Sequence, residues 1–142
     1  MRLDARFRFA LFGAFALLFV TGGAWYFVHP QALSGNEVWQ EVAAYLLMFH
    51  GGAAMLGLML LGALVPLHIQ RAWRVQRNRL TGTAMLTFNA ALILTSFGLY
   101  YAGSEMLRPW MSEIHIAAGF CLPALLVGHI FVGRRSREKR GA

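Results

Sequence analysis

Four of the five histidines lie inside long apolar runs, His50 and His68 in one, His115 and His129 in another. An ionisable ring at membrane depth is costly, and where one occurs it usually serves a function. The spacing narrows the chemistry. His50 and His68 are 18 residues apart, about 1800° and so about five whole turns of a uniform α-helix. His115 and His129 are 14 residues apart, about 40° short of four turns. Each pair is therefore expected to share one helix face. Two imidazoles arriving from facing helices suit a flat macrocycle whose iron takes one ligand on each side. Zinc or copper is the rival. The two rings of a pair stand about 27 Å and about 21 Å apart along their helices, too far to share one metal. Each end then offers two imidazoles without a thiolate or carboxylate at membrane depth, which suits haem better than zinc. For any single histidine the plain alternative is a polar contact between helices.

The elements that must position these rings are membrane spans. Of the 142 residues, 58% are hydrophobic and 13% charged, against roughly 25% charged in average proteins. Four apolar stretches, about 9–28, 42–69, 83–102 and 111–132, are each long enough to cross a hydrocarbon core of ~30 Å as a helix. The expected fold is all-α, an integral membrane four-helix bundle forming a single transmembrane domain over 1–142. No internal repeat, low-complexity segment or linker is visible. The apolar stretch after the N-terminal arginines is longer than a signal peptide needs and no small-residue cleavage site comes after it, so it is expected to be retained. The lone Cys121 excludes a disulfide within one chain and any Cys-based metal motif.

Charge sets the expected orientation. Arg2, Arg6 and Arg8 precede span one; Arg71, Arg74, Arg77 and Arg79 separate spans two and three; Arg134, Arg135, Arg137, Lys139 and Arg140 follow span four. The opposite loops hold Glu37, Glu41, Glu105 and Glu113, with Arg108 their one basic residue. The positive-inside rule puts both termini in the cytoplasm, and a bacterial inner membrane is the expected location. Trp25, Tyr26, Trp39, Tyr100, Tyr101 and Trp110 mark the other interface. The net charge of +7 is thus topological, and no nucleic-acid partner is expected. On this orientation His50 and His115 lie at the periplasmic end, and His68 and His129 at the cytoplasmic end. The rises of about 27 Å and about 21 Å do not match two flat haems at equal depths. Either Pro66 bends span two before His68 and tilted haems absorb the rest, or His68 is a solvated interfacial ring and one haem is bound.

With these residues, the chain resembles the bacterial cytochrome b561 family and the b-type cytochrome subunits of formate dehydrogenases and hydrogenases. The run His115-Ile-Ala-Ala-Gly119 with Gly128-His129 carries the likeness in span four, and His50 matches the span-two ligand in position. The likeness covers nearly the whole chain in topology and a handful of residues in motif. It departs at span one, where those families often carry a cytoplasmic-side ligand and this chain has no histidine; His68 would replace it. The resemblance implies two bis-histidine haems b, with electrons passing between a quinone pool and a donor or acceptor protein such as a cytochrome c or a dehydrogenase. Quinone- or superoxide-linked oxidoreductase activity would then rest on the haem itself, since no acid–base constellation is visible.

Other residues fit around this frame. Arg71, Arg74 and Arg134 are candidates for haem propionates, with topological charge as their alternative, and Arg108 is the candidate on the opposite side. His29, before Pro30 in the first periplasmic loop, is a candidate proton donor or acceptor beside a quinone, with Glu37 or Glu41. Gly57, Gly119 and Gly128 serve either a macrocycle lying against backbone or close helix contact. Thr87, Asn89 and Thr95 are expected to bond to neighbouring helices, and Met48, Met55, Met59 and Met85 to pack. Two other function classes remain open: a membrane anchor that docks a redox partner, and a haem-free transporter or assembly protein.

Overall fold

The computed structural model describes residues 4–75 and 78–141, with side chains to 136. Arg2 and Arg77, counted in the basic clusters, lie outside the described residues, as do the side chains of Arg137, Lys139 and Arg140. Four helices are long and apolar enough to cross a membrane: α1 (Ala5–Leu33), α2 (Glu37–Arg74), α3 (Arg79–Tyr101) and α4 (Leu107–Gly141). No strand occurs among the described residues. Each helix contains the expected apolar stretch, save that Ala102 caps α3 instead of continuing it.

The chain divides into two compact units, Met1–Arg71 and Ala72–Ala142. In the first, α1 and α2 pack as an antiparallel hairpin. Its short connection is set by turn chemistry: Gly35 takes φ +87, the left-handed region where a side chain is strained. Asn36 then caps α2, its Oδ1 accepting from the Val38 and Trp39 amides at 3.1 and 3.4 Å. The buried residues are mostly small, Ala14, Thr21 and Ala32 from α1 and Ala43, Ala53 and Gly57 from α2, together with Leu11 of α1. Small residues let two backbones approach, which is how helices associate where lipid is as apolar as the side chains. A Cβ at Gly57 would sit 3.4 Å from the Leu18 side chain.

The second unit repeats the plan with α3 and α4. Thr95 and Gly98 of α3 and Ala118 and Leu122 of α4 are buried. The Met111 side chain fills the space that a Cβ on Gly98 would need. Ser104 caps α4 by accepting from the Leu107 amide at 3.3 Å. Asn78, at φ 50, begins α3, and the Ser136 hydroxyl donates to its Oδ1 at 2.8 Å. Gly57 and Gly119 thus face leucines of the adjacent helix, Leu18 and Leu92, the helix-contact reading, while a Cβ on Gly128 would meet nothing within 4 Å. The outward faces are large and apolar: Phe9, Met59, Leu94 and Val127 are among many exposed hydrophobics. Contiguous exposure on that scale marks a surface covered by something other than water.

Two sequence expectations change. The apolar run from 42 to 69 is not a uniform α-helix, because Val65–Ile69 forms a π turn. Pro66 lacks an N–H, so it cannot donate to the Gly62 carbonyl, and the Val65 amide takes that carbonyl instead. The ladder resumes with Gln70 N–H to Val65 O, a five-residue step. One extra residue in a turn sets back the residues beyond it by up to about 100° and shortens the rise by about 1.5 Å. His68 lies inside this turn, so the five whole turns that would align it with His50 do not hold. The second change concerns His29 and Pro30, which lie within α1 and not in a loop.

Candidate histidine site

His50, His115 and His129 are each half-buried, and His68 is exposed. The first three share one feature: Nδ1 is held by a threonine on the preceding helix. His50 Nδ1 lies 3.0 Å from Thr21 Oγ1. His115 Nδ1 lies 2.9 Å from Thr95 Oγ1. His129 Nδ1 lies 3.0 Å from Thr81 Oγ1. In the second unit the two bridges are in one register, with fourteen residues between the threonines and fourteen between the histidines, as two antiparallel helices require.

The threonines are themselves anchored. Thr21 Oγ1 donates to Leu17 O at 2.7 Å, with Leu18 O at 3.3 Å. Thr95 Oγ1 donates to Ala91 O at 2.7 Å, with Leu92 O at 3.2 Å. Thr81 Oγ1 has Asn78 O at 3.3 Å. A β-branched residue in a helix has few χ1 choices, and this back-bonding selects among them. Beside His50, Gly22 supplies room: a Cβ there would stand 3.0 Å from the ring Cε1 and 3.3 Å from Nδ1.

His68 is built differently. It sits in the π turn, one turn before Arg71. In the α1–α2 register set by Thr21 and His50, its counterpart would be residue 3, ahead of the first residue of α1. Among the described residues, one threonine bridge is seen in the first unit and two in the second.

The remaining candidates fall apart from this arrangement. Arg71 and Arg108 lie on α2 and α4 and are exposed. His29 stacks on Trp25, ring centroids 4.3 Å apart. Asn89 donates to Met85 O in its own helix at 2.8 Å and not to a neighbour, whereas Thr95 does bridge to the next helix. Among the described residues no three His, Cys, Asp or Glu side chains gather into a metal-binding cluster. The sequence reading missed Thr21 and Thr81. A signal for Thr81 was present, since its distance from Thr95 equals that of His115 from His129.

Chemically, an imidazole whose Nδ1 is hydrogen-bonded offers Nε2 to a metal, the arrangement common to metal-bound histidine. The donor set therefore fits haem, which needs neutral imidazoles and an apolar surround. These features define an all-helical protein with four spans' worth of apolar helix and histidines braced from adjacent helices. Comparison with protein families, with curated proteins and with solved structures gives no match for this chain.

Proposed function

We propose that this protein is a membrane-embedded b-type cytochrome that carries two haems b through His50, His68, His115 and His129 and exchanges electrons with a quinone pool. The observation that supports the reading is the threonine bridge to Nδ1 of three of these histidines. Haem, when bound, supplies the one-electron redox chemistry. The chain's own residues hold the imidazoles at fixed depth and orientation and surround them with apolar helix. Arg71 and Arg108 are proposed to meet propionates, and a cytochrome c or a dehydrogenase is proposed as the protein that gives or takes the electron.

The direct test is a pyridine haemochrome assay and a reduced-minus-oxidised spectrum of the chain purified from haem-replete cells. A b-type α band and about two haems per chain are expected, since each iron takes two axial ligands. A colourless preparation would overturn the reading.

We also propose that the helices cross a bacterial inner membrane with both termini in the cytoplasm. The support is the distribution of arginine and lysine, which leaves Arg108 alone among the acidic loops. Reporter fusions check this. An alkaline phosphatase fused after Ser104 is expected to be active, and one fused after Val75 inactive; the reverse pattern would invert the topology.

A further inference from the structure

We propose that Thr21 and Thr95 are positioning residues that fix the tautomer of His50 and His115, placing the ring electron pair on Nε2. The inference rests on the haem reading for its purpose, but its chemistry stands on the hydrogen bonds alone.

A threonine hydroxyl has one proton and two lone pairs, and a neutral imidazole has one N–H. A backbone carbonyl can only accept. Thr21 Oγ1 lies 2.7 Å from Leu17 O and 3.0 Å from His50 Nδ1. Thr95 Oγ1 lies 2.7 Å from Ala91 O and 2.9 Å from His115 Nδ1. In both, the single hydroxyl proton goes to the nearer carbonyl. The hydroxyl can then only accept from the ring. If Nδ1 were bare, two lone pairs would face each other about 3 Å apart in a low-dielectric setting, which is unfavourable for both groups. Nδ1 therefore carries the proton, and Nε2 carries the pair that binds a metal.

The same construction occurs once in each unit, from sequences that show no repeat. Thr81 is built otherwise. Its carbonyl neighbour, Asn78 O, lies at 3.3 Å and His129 Nδ1 is closer, at 3.0 Å. Its hydroxyl proton is not committed to the backbone, so this threonine accommodates either tautomer of His129. The chain thus presents two histidines preset for metal and a third that adjusts.

Two measurements on the full chain test this. The first uses ¹⁵N-histidine-labelled protein, purified in detergent from haem-depleted cells, with long-range ¹H–¹⁵N correlation to read each ring. His50 and His115 are expected as the Nδ1–H form. Thr95→Val is expected to release His115 toward the other tautomer, and Thr21→Val to release His50 less far, because the Leu18 carbonyl also accepts from that ring. Thr21→Ser and Thr95→Ser should restore it. An Nε2–H ring in the unaltered chain, or an unchanged tautomer in both valine variants, would overturn the proposal.

The second measurement titrates haem b into the same proteins. Each valine variant is expected to bind roughly 10- to 100-fold more weakly, with a shifted midpoint potential. Thr87→Val, an exposed position on α3, is the comparison expected to behave as the unaltered chain. Absence of haem binding in every protein would sink the haem reading while the tautomer measurement still decides the threonine role. Unchanged affinity and potential in both valine variants, with the serine variants no different, would remove their purpose in haem binding.

Discussion

If the chain carries two haems as proposed, His50→Ala and His115→Ala are each expected to lower the haem-to-chain ratio from about two to about one, because each would take an axial ligand from one of two irons. An exposed histidine can be lost without consequence. These two are half-buried and carry a bonded Nδ1, and the His50 ring also stands against Gly22. Removing the ring also leaves Thr21 or Thr95 without its partner, but each hydroxyl keeps its own backbone carbonyl. The helices are therefore expected to survive, and circular dichroism should show unchanged helix content. His29→Ala is the informative comparison. That ring stacks on Trp25 within α1, and its removal is expected to leave the haem ratio and spectrum as they were. Full haem loading in both His50→Ala and His115→Ala would remove these residues from the ligand set.

Gly22→Val is expected to abolish haem at His50 nearly as completely as removing the ring. A Cβ at position 22 stands 3.0 Å from the His50 Cε1 and 3.3 Å from Nδ1. Alanine would require the ring to yield by a few tenths of an ångström. Valine adds two methyl groups to the same point, so the ring must leave Thr21. The helix itself gains, since replacing glycine by alanine in a helix interior is worth up to ~1 kcal/mol. Stability and haem retention are thus expected to move in opposite directions across Gly22→Ala and Gly22→Val. Gly23→Val, where a Cβ meets nothing within 4 Å, separates the two effects. Equal haem content in the Gly22 and Gly23 variants would mean that the His50 ring does not depend on the space beside it.

The four apolar helices were legible from the sequence because length and charge alone define them. Lipid demands about 20 apolar residues per span, and nothing in the interior overrides that demand. The position of each histidine along its helix came with the apolar stretches. Which face each ring takes was less legible. In a soluble helix the polar face reveals the buried one, but a span is apolar all round, and the seam differs only in residue size. Small residues such as Ala43, Ala53 and Gly57 mark it weakly. The partners of the histidines depend on the register between helices, which no single helix encodes. Thr95 stands out in sequence because it is polar at membrane depth, yet Thr21 has the same character and passed unnoticed. The phase of His68 failed for a local reason. A count of 100° per residue assumes an unbroken ladder, and Pro66 removes one of its rungs. The loop expected at His29 rested on the proline after it. Pro30 instead lies inside α1, within its last turn, and the helix ends three residues later at Leu33.

The π turn at Val65–Ile69 divides α2 into two lengths that keep separate time. Upstream, every residue from Glu37 is phased to the seam with α1, where Ala43, Ala53 and Gly57 are buried. Downstream, Gln70–Arg74 resumes the α-helical ladder in a different phase. A twist or a pull applied at Arg71 or Arg74 is expected to meet this interruption of the ladder before it reaches the contact between Thr21 and His50. The basic end of α2 is thus set on its own phase, apart from the face that carries the braced His50.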